Sequence, residues 1–160
     1  MPKERASSVL TGVAGEYYVA AELTRRGYIA SLTMRNTRGT DIVVTNGLSG
    51  RHAAIQVKTT RKKEPSWLLS AKDETPLSDT HFYVFVNIVD EEPPVYRVVP
   101  GKTVAESLRQ GFEQWVSTPG RNGHVRDRDN KVRRFNDKEG LFVDRWDLLG
   151  LDPTPDTAED

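Results

Sequence analysis

Apolar side chains recur at helical spacing near the start of the chain, and they predict a first helix over residues 9–26. Ser7 or Ser8 can cap its beginning, and Gly27 follows its last turn. The apolar positions that share one face of this helix, and are expected to pack on the core, are Leu10, Val13, Ala14, Tyr17 and Ala21.

A second helix is predicted to begin at the capping box that runs from Thr103 to Glu106 and to end before Pro119 and Gly120. Between the two helices, β-branched and aromatic residues predict about five strands. These strands are expected at residues 28–34, 41–45, 52–59, 82–89 and 95–99. The predicted apolar stripe of the second helix consists of Val104, Leu108, Phe112, Trp115 and Val116.

The remainder of the chain carries weaker signals. Residues 121–131 are rich in Gly, Asn and Asp and predict a loop or an irregular hairpin. Residues 141–149 indicate a short helix or strand, with Phe142, Trp146 and Leu149 as core anchors. Residues 152–160 predict an acidic, flexible tail, so a single domain is expected over residues 1–151.

Composition excludes several classes of protein. The 160 residues include no cysteine, which rules out disulfides, thiolate zinc sites and a cysteine nucleophile. The longest apolar run covers only residues 82–86, whereas a bilayer-spanning helix needs about 20 apolar residues. The first residues lack the pattern of a signal peptide, so we expect a cytoplasmic protein without a membrane partner.

Charge is balanced over the whole chain but unevenly distributed along it. Residues 24–63 contain nine Lys and Arg and one acidic residue, Asp41. Residues 64–96 are acidic, and residues 121–138 are again basic. Each block is consistent with a solvated surface, and the basic blocks are also typical of a protein that binds nucleic acid.

One group of polar residues could carry chemistry inside the first basic block. Side chains alternate along a strand, so Gln56 and Lys58 share one face while Ile55 and Val57 face the core. Asp41 opens the preceding strand and can meet Gln56 across the sheet. A carboxylate, an amide oxygen and an ammonium are suited to phosphodiester cleavage with a hard divalent ion such as Mg²⁺.

At these residues the sequence resembles the PD-(D/E)XK nuclease superfamily, which includes many restriction endonucleases and archaeal-type Holliday junction resolvases. The matching segments are Gly15-Glu16, Gly39-Thr-Asp41 and Ile55-Gln-Val-Lys58. The resemblance covers residues 9–100 and implies an α/β restriction-endonuclease-like core, with a mixed central sheet of about five strands flanked by helices.

The resemblance also implies roles for individual residues. Glu16, Asp41 and Gln56 would hold Mg²⁺ or Mn²⁺, and Lys58 would be the motif lysine, so that these four form the catalytic set. Two residues depart from the motif: Thr40 replaces a proline, and Gln56 replaces an acid. The second change removes one negative charge from the ligands, so we expect weaker metal binding than a glutamate would give.

The expected activity is metal-dependent hydrolysis of DNA, with RNA as an alternative substrate and a homodimer as an alternative assembly. Cations near the site are expected to bind phosphates: Arg38, Arg61, Lys62 and Lys63. Trp67 could stack on a base or belong to the core. Two rival functions stay open, a catalytically silent nucleic-acid-binding module of the same fold and an adaptor that docks a basic protein through its acidic block.

Overall fold

The computed structural model describes residues 7–34 and 37–153, which contain two α-helices and seven β-strands. None of the helices in this part of the chain is long and apolar enough to cross a membrane. In chain order the helices and strands are α1 (Ser8–Arg25), β1 (Ile29–Leu32), β2 (Ile42–Thr45), β3 (His52–Thr60), β4 (Ser66–Ser70), β5 (His81–Asn87), β6 (Val95–Pro100), α2 (Gly101–Ser117) and β7 (Val132–Asn136).

Five of the strands form the expected mixed sheet, in the order β1-β2-β3-β5-β6. β3 and β5 run parallel, and the other neighbouring pairs are antiparallel. The long connection from β3 to β5 is what permits the parallel pairing, because a tight hairpin can join only antiparallel strands. The predicted α/β core with a mixed sheet of five strands is therefore confirmed.

Two hydrophobic clusters cover the two faces of this sheet. Every residue of β5 is buried, and its alternate side chains enter different clusters. Phe82, Val84 and Val86 pack with Val19 and Leu23 of α1. Residues near the end of the described chain, Trp146, Leu149 and Leu151, complete this cluster. Tyr83 and Phe85 pack on the opposite face, with α2 and with β4 and β7. A strand that is covered on both faces explains the nearly continuous apolar run in the sequence.

The buried face of α1 differs from the predicted one. Leu10, Tyr17 and Ala21 are exposed, and α1 buries Thr11, Gly15, Val19 and Leu23 instead. The reason is a close approach between α1 and β3: a Cβ atom at Gly15 would lie 1.8 Å from Oγ1 of Thr59. A glycine and two threonines therefore belong to the contact face, and an apolar periodicity does not detect them.

The start of α2 also corrects the prediction. The helix begins at Gly101 after Pro100, with no side-chain cap, so Thr103 lies within its first turn and the expected capping box is wrong. Gly101 is required here because an added Cβ would lie 2.8 Å from the backbone oxygen of His81. The helix ends at Ser117, as predicted, with Val104 and Leu108 buried and Trp115 at the surface.

β4 and β7 form a second, two-stranded antiparallel sheet that was not predicted. Trp67 of β4 lies opposite Phe135 of β7, and both rings pack near Phe85, at centroid distances of 4.9 and 4.5 Å respectively. The indole nitrogen of Trp67 donates a hydrogen bond to the Val86 carbonyl oxygen at 3.3 Å. Trp67 is therefore a core residue, and the base-stacking alternative is wrong.

The last described residues close the first cluster. The segment at 141–149 contains a short 3-10 helix, Trp146–Leu149, whose end residues are buried as predicted. Asp152, which opens the predicted flexible tail, accepts hydrogen bonds from the Tyr28 hydroxyl and is also held through its carbonyl oxygen by Arg51. Residues 154–160, the remainder of that predicted tail, lie outside the described residues.

Two glycines of α1 test the close approach to β3. Gly15→Ala should lower the free energy of unfolding by about 1–3 kcal/mol, because the methyl group collides with Thr59. Gly12→Ala is the matched control: it has nothing within 4 Å and should raise the free energy of unfolding by about 0.5–1 kcal/mol. Urea denaturation measures both. Adding Thr59→Ala to Gly15→Ala should recover part of the loss, and equal stability of the two alanine variants would contradict the contact.

Candidate functional site

The approach of Asp41 to β3 brings three of the predicted site residues together. Ile42 lies opposite Ile55, and the paired part of β2 begins there. The Asp41 amide nitrogen also donates to the Ile55 carbonyl oxygen, at 2.8 Å, so the chain leaves the regular register at Asp41. The Asp41 carboxylate reaches β3 at Val57, the residue between Gln56 and Lys58. Asp41, Gln56 and Lys58 are therefore neighbours.

The Asp41 carboxylate is held by the backbone of the neighbouring strand. Its Oδ2 accepts a hydrogen bond from the Val57 amide nitrogen at 2.7 Å. Burial raises the pKa of Asp41, and the Val57 hydrogen bond and the charges of Lys58 and His81 offset this only in part. A partly desolvated carboxylate of this kind gains stability when a cation binds beside it.

Glu16 reaches the site region from a different layer of the fold. It is half-buried and follows Gly15, the residue at which α1 packs against Thr59 of β3. Thr59 directly follows Lys58, but its side chain lies on the α1 face of the strand. The structure thus groups Asp41, Gln56 and Lys58 at one part of β3 and carries Glu16 on α1, the helix that packs against Thr59 of the same strand. The convergence of Glu16 with them stays a prediction.

A second buried carboxylate, which sequence reasoning missed, lies near Lys58. Asp73 sits in the short 3-10 helix Ala71–Glu74 and is 7% exposed. It accepts hydrogen bonds from the Ser70 amide at 2.8 Å, the Ser70 hydroxyl at 2.9 Å and the Tyr83 hydroxyl at 2.9 Å. Burial acts to raise the pKa of Asp73, but these donors and the charge of Lys58 outweigh it, so the pKa lies below its usual range.

Lys58 therefore interacts electrostatically with two carboxylates of opposite character, Asp41 and Asp73. Tyr83 lies opposite Gln56 in the parallel pairing of β3 and β5, which brings Asp73 to the same part of the sheet. Gln56, Asp73 and Tyr83 line a small cavity of about 90 Å³. Asp73 gave no motif signal because its part in the site depends on long-range pairing rather than on spacing along the chain.

His81 supports the turn that leads into Asp41. Its ring is 2% exposed, and Nε2 lies 2.9 Å from the Gly39 carbonyl oxygen. Since a carbonyl oxygen only accepts, Nε2 is the protonated nitrogen in this contact. The sequence offered no acidic partner for this histidine, and the structure gives it a supporting position beside the candidate site.

The predicted phosphate-binding cations lie at different distances from the site. Arg38 lines the same small cavity as Gln56. Arg61 and Lys62 line an open cleft of about 520 Å³ that extends to the beginning of α1. Lys62 also lines a cleft of about 250 Å³ with Lys58. Lys63, in contrast, lies 3.7 Å from Glu92 in an exposed ion pair.

The donor set suits a hard divalent cation. Asp41 offers a desolvated carboxylate, and Gln56 offers an amide oxygen on the neighbouring strand, one residue before the Val57 amide that the carboxylate contacts. Within residues 7–34 and 37–153 there is no group of three or more His, Asp or Glu that could hold a metal ion. The candidate set differs from such a group because it combines two carboxylates, those of Asp41 and Glu16, with one amide. Its chemistry fits Mg²⁺ or Mn²⁺.

Comparison with known proteins supports the fold assignment. No protein-family model and no curated protein sequence matches the chain. Hjc, a Holliday junction resolvase from Archaeoglobus fulgidus, is similar in structure with a TM-score of 0.52 and 18% identity, over 89% of this chain and 98% of that chain. A bacterial homing endonuclease, I-Ssp6803I, is similar with a TM-score of 0.54 and 14% identity, over 91% of this chain and 92% of that one. The restriction-endonuclease-like core is thereby shown.

The raised pKa of Asp41 predicts how its removal changes stability with pH. A carboxyl group whose pKa is raised by folding favours the folded state at low pH and opposes it once ionised. Asp41→Asn, whose amide oxygen can still accept from Val57, should therefore raise the Tm by a few degrees at pH 7–8.

Thermal melts across pH measure this effect, and the difference between the two proteins should shrink as the pH falls below the ordinary carboxyl range. Asp79→Asn is the control, since the Asp79 side chain is 94% exposed. An equal or lower Tm for Asp41→Asn at neutral pH would contradict a desolvated charge at this position.

Proposed function

We propose that the protein is a metal-dependent nuclease that hydrolyses DNA phosphodiester bonds. The observation that carries the proposal is the hydrogen bond from the Val57 amide to the Asp41 carboxylate, which brings this carboxylate to the part of β3 that holds Gln56 and Lys58. The restriction-endonuclease-like fold, which this chain shares with a resolvase and a homing endonuclease, supports it.

Asp41, Gln56 and Glu16 would hold Mg²⁺ or Mn²⁺. When bound, the metal ion would lower the pKa of a water molecule and polarise a phosphoryl oxygen. The hydrogen bond from Val57 fixes the Asp41 carboxylate before any ligand arrives. Gln56 adds a neutral oxygen whose position is set by the same strand pairing. Oxygen ligands that are already oriented cost little rearrangement on binding.

Lys58 supplies positive charge where the phosphate would become more negative. Its ammonium lies in the field of Asp41 and Asp73, and the hydrogen bonds from Ser70 and Tyr83 keep Asp73 ionised. In this proposal the Lys58 ammonium stabilises the charge that develops on the phosphate oxygens. Asp73 acts through Lys58 as a positioning residue.

A specific observation favours the catalytically silent binding module as the second candidate. Gln56 is neutral, so the proposed ligands carry one negative charge fewer than a set with glutamate at this position. Such a site could keep the fold and its DNA affinity without cutting. DNA remains the proposed partner in both cases. RNA is the alternative substrate, and a homodimer is the alternative assembly.

The adaptor hypothesis finds less support in the structure. It requires the acidic residues of the block at 64–96 to form one exposed surface. Asp73 is buried, Glu74 pairs with Arg133, and Glu92 pairs with Lys63. Two of the seven acidic residues of this block, Asp73 and Glu74, are thus engaged inside the fold, and the other five are exposed.

Cleavage assays separate the enzyme from the binding module. Supercoiled plasmid and a labelled four-way DNA junction are incubated with the protein in Mg²⁺ or Mn²⁺. We expect cleavage by the wild type and a loss of at least about 100-fold in Asp41→Ala and in Lys58→Ala. Lys102→Ala, which removes a lysine paired with exposed Asp79, should retain full activity.

Binding without cleavage would establish the silent module and overturn the enzyme. Cleavage that survives in both Asp41→Ala and Lys58→Ala would show that the activity arises elsewhere or from a contaminant.

The charge of the ligand set makes a separate prediction. Gln56→Glu adds a carboxylate one residue before Val57, the amide that holds Asp41, and should tighten Mn²⁺ binding by roughly tenfold, as measured by isothermal titration calorimetry. The matched control is Gln114→Glu, at an exposed position on α2, which should leave the affinity unchanged. An unchanged or weaker affinity in Gln56→Glu would exclude Gln56 as a ligand.

A further inference from the structure

The second sheet forms one wall of the cleft that contains Lys58. This cleft, of about 250 Å³, is lined on one side by Lys58, Thr60 and Lys62. Its other side consists of residues from the second sheet, namely Ser66 and Leu68 of β4 and Arg134 of β7. A part of the fold with no place in the proposed chemistry is therefore in direct contact with the proposed site.

The outer face of this sheet carries an arginine that forms no ion pair with any residue that the structure describes. Leu68 lies opposite Arg134, and both are exposed, whereas their neighbours Trp67 and Phe135 are buried. The Arg134 guanidinium donates to the hydroxyl oxygen of Ser66 at 2.9 Å. Among the residues the structure describes, the ion pairs do not include Arg134 or Lys62. The neighbouring Arg133 is different, because it is buried and paired with Glu74.

Arg134 also lines a second groove, of about 400 Å³, between β7 and α2. Phe112 and Trp115 lie on the helical side of this groove, and the Arg126 guanidinium lies 4.9 Å from the Trp115 ring. Because Arg134 lines both clefts, they lie next to each other, one beside Lys58 and the other beside α2. No acidic residue is among the described residues that line either cleft.

We propose that the outer face of the β4–β7 sheet binds the DNA backbone and carries it from the candidate site toward α2, with Arg134 in contact with a phosphate. This inference rests on the proposed function, from which it takes DNA as the ligand. Among the described residues, Arg134 has no ion-pair partner and no carboxylate lines its cleft with Lys58 and Lys62, so this guanidinium is complementary to phosphate. The cleft beside Lys58 offers cations, hydroxyl groups and apolar side chains, which suit contacts with phosphates rather than with base edges.

Salt-dependent binding tests this path without any need for cleavage. A fluorescein-labelled 30-base-pair duplex is titrated in EDTA, with anisotropy as the readout, over a range of salt concentrations. Arg134→Gln should weaken binding several-fold and reduce the slope of log affinity against log salt by about 0.9, the loss of one phosphate contact. Arg145→Gln is the control, because it removes an exposed arginine that pairs with Asp147 near the first cluster. It should change neither quantity.

Proximity provides a second, independent measurement. The chain contains no cysteine, so a single introduced cysteine can be labelled with an iron–EDTA reagent that cuts nearby DNA backbone. Leu68→Cys should direct cuts to the bound duplex. Ile29→Cys is the control, because Ile29 lies on the edge strand β1 of the main sheet and is 59% exposed, against 60% for Leu68. It should not direct cuts to the bound duplex.

The outcomes distinguish this inference from the function on which it rests. If the wild type binds no DNA, the proposed function and the path fail together. If it binds with a normal salt dependence but Arg134→Gln matches the wild type and cuts from position 68 do not exceed those from position 29, the path alone is overturned. A lower affinity in Arg134→Gln with cuts from position 68 supports it.

Discussion

The antiparallel register of β2 and β3 is the constraint on which both the core and the candidate site depend. Ile42 lies opposite Ile55, and the two side chains are fully buried beneath α1. The same pairing ends at Ile42 and leaves Asp41 next to β3, where its carboxylate accepts a hydrogen bond from Val57, between Gln56 and Lys58. A slip of one position would expose the apolar side chains and bury the polar ones. The burial of Ile42 and Ile55 therefore fixes the strand pairing that holds the polar site, although these two residues are not part of the site.

The two carboxyl groups near Lys58, Asp41 and Asp73, have pKa values shifted in opposite directions, because they differ in the hydrogen bonds that they receive. Asp73 receives three hydrogen bonds and has a pKa below its usual range, whereas Asp41 receives one from Val57 and has a raised pKa. A carboxylate with its hydrogen bonds satisfied is suited to orient a lysine. A carboxylate that lacks them is suited to bind a cation. Two identical groups thus acquire different capacities from their surroundings.

Much of this architecture could be read from local patterns. The strands of the main sheet, the shared face of Gln56 and Lys58 and the buried end residues of the 3-10 helix, Trp146 and Leu149, follow from periodicities of two and from isolated aromatic anchors. The contact face of α1 could not be found this way, because Gly15 and Thr59 meet through the absence of a side chain rather than through apolar surface. Likewise, β4 and β7 pair across more than sixty residues, with an arginine at the centre of β7. Short strands of this kind carry little local signal.

The anchoring of the second sheet determines what it can contribute to recognition. Trp67 is hydrogen-bonded to the backbone of β5, and Phe135 stacks on Phe85, so this sheet is an extension of the rigid interior and not a flap. Its backbone is ordered when the protein folds. Binding of a ligand across this sheet would therefore not require a loop to become ordered. The entropic cost would come mainly from the exposed side chains, which would lose rotational freedom.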